Sequence, residues 1–135
     1  MTYSDDYLPE GCSLDVRDFQ LFLKRLRKFY GTKIRYFHAG EYGDQFGRPH
    51  YHAILFNHDF PDKVVYTNRN GNDVWVSREL SNLWPMGFSS IGSVTFESAA
   101  YVARYCLKKV SGYAAETHYG GRMPEYTTMS RRRVS

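Results

Sequence analysis

Glu41, His50 and His52 have the side-chain types of a divalent-metal site and lie close together in the chain. His50-Tyr51-His52 leads into the apolar run Ala53-Ile54-Leu55-Phe56, so His50 to Phe56 reads as a strand. Side chains alternate along a strand, which puts both imidazoles on one face. Ile34 to Glu41 reads as the preceding strand. Between the two, Tyr42-Gly43-Asp44-Gln45-Phe46-Gly47-Arg48-Pro49 reads as a hairpin loop, from its two glycines and its proline. If Glu41 pairs directly with His50, then Ala39 falls opposite His52 and Phe37 opposite Ile54. The carboxylate then joins both imidazoles on one face, with open positions for a substrate.

A one-residue bulge would break that register. A lone His-x-His in a strand is also more often incidental than a ligand pair, and it is the glutamate within hairpin reach that strengthens the metal reading. His38 falls on the opposite face from Glu41 and is expected to be structural. His58 and His118 lie in loop-like segments and are weaker alternatives.

A second group lies in Tyr101-Val102-Ala103-Arg104-Tyr105-Cys106-Leu107-Lys108-Lys109. At about 100° per residue, Tyr101, Tyr105 and Lys108 share a narrow helix sector. Ala99, Val102, Ala103, Cys106, Leu107 and Val110 form the apolar side. With 12 tyrosines in the chain, amphipathic packing alone could place either ring there. Two hydroxyls one turn apart beside a lysine are a different matter near a metal. A phenol has a pKa near 10 and attacks poorly unless it is activated. A divalent ion can polarise a phosphate, and an ammonium can orient it or stabilise the phenolate. Attack on phosphorus would leave a phosphotyrosine, and a second tyrosine could run a second transfer.

The elements that must position these groups follow from the pattern along the chain. Thr2 and Tyr3 fit the end of a strand. Ser13 reads as a helix N-cap, and Leu14, Phe19, Phe22, Leu23, Leu26 and Phe29 follow at helical spacing up to Gly31. Lys24, Arg25, Arg27 and Lys28 crowd its last turns, as a solvated face or as contacts to DNA. Asn68 to Asp73 reads as a turn between strands at Val64 to Thr67 and Val74 to Val76. Ser77 caps a short helix to Trp84, and Ile91 to Phe96 reads as a strand. Thr95 or Ser98 caps a helix running to about Val110. From about 113 to 135 the chain is expected to be a less ordered tail. The order argues α+β, with helices packed on one face of a central, mostly antiparallel sheet.

The length of 135 residues implies one domain, 1–135. A net charge of +4 leans toward a polyanionic partner. Cys12 and Cys106 have no metal-type spacing, and Cys106 is expected to be a reduced, buried thiol. No apolar run reaches the roughly 18 residues of a membrane span, and no signal peptide is recognisable, so a cytoplasmic protein is expected.

The sequence resembles the HUH endonucleases that initiate rolling-circle replication, most closely those of microviruses of the gokushovirus group. The resemblance rests on Gly40-Glu41-Tyr42-Gly43, on Gly47-Arg48-Pro49-His50-Tyr51-His52-Ala53-Ile54-Leu55-Phe56 and on Tyr101 to Lys109, with Ser13 to Lys28 resembling the family's first helix. It implies an HUH-type catalytic domain with His50, His52 and Glu41 as metal ligands and Mg²⁺ or Mn²⁺ as the ion. It implies Tyr105, with Lys108 at the Tyr-x-x-Lys spacing, as nucleophile and Tyr101 as the second tyrosine. Lys109, Arg104 and Arg48 are candidate DNA contacts. The expected chemistry is nicking and strand transfer through a 5′-phosphotyrosine. The expected partner is single-stranded DNA at a replication origin, such as a hairpin, with host replication proteins as a further class and the bacterial host cytoplasm as the location. The family's first motif lies on a strand ending in a Thr-x-Thr-Tyr-like stretch, of which Met1-Thr2-Tyr3 retains only the end. Two other readings compete: a basic, aromatic-rich module that binds single-stranded nucleic acid without cutting it, and an HUH relaxase or transposase with the same chemistry.

Overall fold

Apolar side chains at helical spacing build the first helix, α1 (Val16–Tyr30), which buries Phe19, Phe22, Leu23 and Leu26. Each such side chain contributes roughly 1.5–3 kcal/mol on burial. Asp15, not Ser13, caps it by accepting a hydrogen bond from the Arg17 N–H at 3.0 Å. The Ser13 hydroxyl instead accepts from the Met123 N–H at 3.0 Å, so it serves a distant segment. Gly31 ends the helix at φ 66°, a left-handed position that suits glycine. The computed structural model describes residues 1–104 and 113–131.

β1 (Arg35–Tyr42) and β2 (Pro49–Phe56) form an antiparallel hairpin whose register pairs Glu41 with His50, Ala39 with His52 and Phe37 with Ile54, as the alternation predicts. β3 (Val64–Arg69) and β4 (Asn72–Val76) form a second hairpin, with a register shift between Val65 and Thr67. Ser77 caps α2 (Arg78–Leu83) through the Leu80 N–H. The expected strand at Ile91 to Phe96 is reduced to one bridge between Ile91 and Trp75. Thr95 and Ser98 form a reciprocal capping box instead, so Phe96 already opens α3 (Phe96–Ala103). The predicted continuation of that helix toward Val110 lies outside the described residues.

The expected loose tail is a correction. Tyr113–Tyr119 forms a helix, α4, and Tyr126–Met129 forms β5, which pairs antiparallel with β1. The three-stranded sheet therefore runs β2-β1-β5, with β1 in the centre. A polar four-residue strand carries little pattern of its own, and β5 is defined by its partner. Met1 to Ser4 is not a regular strand. Its backbone nevertheless bonds on both sides, from Tyr51 N–H to Met1 O at 2.9 Å and from Thr2 N–H to Phe88 O at 2.9 Å.

The helices also cover both faces of the sheet, not one. α1 packs on the face carrying Tyr36, His38, Tyr51 and Tyr126, where the Phe19 ring stacks on His38. α3 covers part of the other face, where Val102 packs with Ala39, Phe37 and Ile54. The main core continues from α1 to Trp84, which is fully buried and donates its indole N–H to Thr2 O at 2.7 Å. Among the described residues, no helix is long and apolar enough to cross a membrane.

Candidate metal centre

The face opposite α1 carries the cluster. Glu41 is 4% exposed, and its Oε1 lies 2.7 Å from His50 Nε2 and 2.9 Å from His52 Nε2. The three candidate ligand atoms all lie within 4.8 Å of one another. Ligands about 2.1 Å from one ion are about 3 Å apart at right angles and about 4.2 Å apart across it. The cluster therefore needs only side-chain adjustment to accept an ion. Two imidazoles and a carboxylate on one face suit a divalent transition ion or Mn²⁺, with room left for other oxygens. Ala39, fully buried opposite His52, leaves the space that a larger residue would fill.

The hairpin accounts for this arrangement. All three residues belong to adjacent antiparallel strands, and the register fixes their side. Gly43, just past β1, is required by close approach, since a Cβ there would lie 3.0 Å from His50 Cε1.

α3 brings Tyr101 to this site. Its ring centroid lies 6.2 Å from that of His52, edge-on at 81°, and the side chain is 53% exposed. Val102, on the adjoining helix face, anchors α3 to the sheet. Arg104 follows and is exposed. Tyr105, Lys108, Lys109 and Cys106 lie outside the described residues. Other tyrosines are poorer nucleophile candidates. Burial pushes the Tyr3 and Tyr126 hydroxyls far above the ordinary phenol range and Tyr51 up to about 12. Tyr51 and Tyr126 pack with α1 on the face away from the cluster.

The remaining candidates separate clearly. Arg48 is held by the N-terminal segment, donating to Tyr3 O at 3.0 Å and pairing with Asp5 at 2.9 Å. Arg25 donates to Leu83 O and Arg27 to Ile34 O, so two of the four cations of α1 tie the helix to its surroundings. His38 is fully buried and accepts or donates at Thr128 Oγ1, 3.0 Å away. His58 sits between the rings of Tyr30 and Phe60, and burial lowers its pKa. Neither joins the cluster, and His118 is exposed on α4. Cys12 is a free, half-buried thiol.

Reading the tail as loose hid one residue near the site. The β1–β5 pairing sets Gly40 opposite Tyr126 and Ala39 opposite Thr127. One step further along the same register, Glu125 falls beside Glu41 on the cluster's face, and it is 5% exposed. Only the pairing of β5 reveals this second buried carboxylate.

Residues 1–110 match the family of the replication-associated protein ORF2, and the chain belongs to that family. It is a microvirus-like replication-associated protein. It is 39% identical over 120 residues to replication-associated protein VP4 of Bdellovibrio phage phiMH2K, covering 82% of this chain and 38% of the relative. It is 34% identical over 119 residues to replication-associated protein ORF2 of Spiroplasma virus 4, covering 82% and 37%. It is 36% identical over 118 residues to replication-associated protein ORF4 of Chlamydia phage 1, covering 81% and 29%. The matched region thus spans little more than a third of the length of these relatives at most. No solved structure matches the chain.

Proposed function

We propose that the chain is an HUH-type endonuclease domain that nicks single-stranded DNA and transfers the cut strand, initiating rolling-circle replication. The observation that carries this reading is the convergence of Glu41, His50 and His52 on one sheet face with Tyr101 of α3 beside His52. Membership of a replication-associated phage family supports it.

Glu41, His50 and His52 would hold Mg²⁺ or Mn²⁺, which when bound supplies Lewis-acid polarisation of a phosphate oxygen. Glu41 keeps both imidazoles turned to the same point. Tyr105 is the first nucleophile. Its phenolic oxygen bonds to phosphorus, the bond from phosphorus to the 3′-oxygen breaks, the phenol gives up its proton and the leaving 3′-oxygen takes one up. Lys108 stabilises the phenolate, and Tyr101 serves the second transfer. Lys109, Arg104 and Arg48 contact the strand, with the site of action in the bacterial host cytoplasm.

The test is incubation with labelled single-stranded origin hairpins in Mn²⁺ or Mg²⁺, against an EDTA control. The expected result is metal-dependent cleavage that leaves the 5′ end covalently on the protein. Binding with no cleavage and no covalent product on any such substrate would replace this reading with a non-cutting binding module.

A further inference from the structure

The β1–β2 turn and the N-terminal segment border a cleft of about 310 Å³ that has His50 in its wall. That volume falls at the low end of the roughly 300–1,000 Å³ typical of small-molecule sites. Thr2, Asp44, Gln45, Phe46 and Arg48 line it beside His50. Phe46 is 82% exposed, so its ring adds little to the core while presenting a flat apolar face. Arg48 is fixed by Tyr3 O and Asp5, and Arg122 lies against the same loop, with Nη1 3.3 Å from Gly47 O. An aromatic face, an amide at Gln45 able to pair with a base edge, and anchored guanidinium groups suit a nucleotide.

Position along the strands says which nucleotide. The cleft lies at the Pro49–His50 end of β2. α3 packs toward the other end, through Val102 near Ile54 and Tyr101 near His52. In phosphoryl transfer the entering and leaving oxygens are roughly in line on opposite sides of phosphorus. A tyrosine arriving from α3 therefore directs the leaving 3′-oxygen toward the cleft.

We propose that this cleft binds the base of the nucleotide immediately 5′ of the scissile phosphate, stacked on Phe46. The inference rests on the nickase reading for the word scissile, while base binding in the cleft is independent of it. Stacking on one aromatic side chain corresponds to about 5- to 150-fold in affinity.

Two measurements test it. In the first, a randomised single-stranded DNA pool is cleaved with Mn²⁺, and both products are sequenced. The wild type selects among bases at the position 5′ of the cut. Phe46→Ala flattens that selection and raises KM about tenfold with kcat nearly unchanged, and Phe46→Tyr restores it. Unchanged selection in Phe46→Ala, or selection confined to the 3′ side, overturns the proposal. In the second, oligonucleotides carrying 2-aminopurine are titrated in EDTA. The expected fluorescence change on binding is lost in Phe46→Ala. If the wild type cleaves nothing, the nickase reading and the cut-site placement fail together. A Phe46-dependent signal in EDTA then still supports a base-binding cleft, and its absence overturns that as well.

Discussion

The imidazole of His38 lies flat on the ring of Phe19, with centroids 3.4 Å apart and 8° between the planes. Burial holds its pKa down to about 3, and the nearby His52 and N-terminal ammonium act in the same direction. The folded protein thus keeps His38 neutral, while the unfolded chain protonates it below about 6.5. Stability contributed by the neutral form is complete above that value. It is lost as pH falls toward 3, at about 1.4 kcal/mol per unit, or about 2 kcal/mol by pH 5. Urea denaturation in EDTA across this window should show a shallower pH slope for His38→Gln than for the wild type. Equal slopes would mean that another group carries the dependence.

Gly40 and Tyr126 form a matched pair, since a Cβ at residue 40 would lie 2.6 Å from Tyr126 Cε1. Gly40→Ala should destabilise by about 1–3 kcal/mol through overpacking. In a Tyr126→Ala background the same substitution should cost much less. A double-mutant cycle of thermal denaturations reads the coupling, and strict additivity would count against β5 lying on β1.

Glu41→Gln keeps the shape of the side chain but removes the charge between the imidazoles. Mn²⁺ affinity, followed by paramagnetic resonance, should fall at least tenfold, since even outer-shell changes cost about 10–100-fold. Mn²⁺ at 100 times its Kd should stabilise the wild type by about 2.7 kcal/mol, and this gain should disappear in the variant. Equal affinity in both proteins would remove Glu41 from the ligand set.

For the two tyrosines, the expected outcomes are separable. Tyr105→Phe should reduce the first covalent DNA–protein product to the detection limit. Tyr101→Phe should retain that product but lose strand rejoining. Peptide mapping by mass spectrometry identifies the linked residue. A first adduct on Tyr101 in the wild type would reverse the assigned order.

The hairpin and its cluster were legible because alternation in His50-Tyr51-His52 and a Gly/Pro loop fix register over a short distance. The helix caps at Ser77 and Thr95 were legible for a similar local reason. Ser13 misled because two capping residues precede α1 and the serine is used by Met123. β5 and Glu125 were not legible. Tyr126-Thr127-Thr128-Met129 takes its strand conformation from β1, a partner that local pattern does not reveal. The placement of α3 opposite α1 was missed likewise, because an apolar face states that a helix packs, not against which side of a sheet.

The central position of β1 has a consequence for the order of folding. Glu41 and His52 are 11 residues apart, whereas His38 and Thr128, which join β1 to β5, are 90 apart. Closing the longer loop costs about 2 kcal/mol more entropy. The hairpin with all three candidate ligands can therefore assemble from local contacts, while β5 must arrive from far along the chain. Until it does, β1 presents an unpaired edge open to other strands. In a destabilised or newly made chain, aggregation through that edge should precede loss of the hairpin itself.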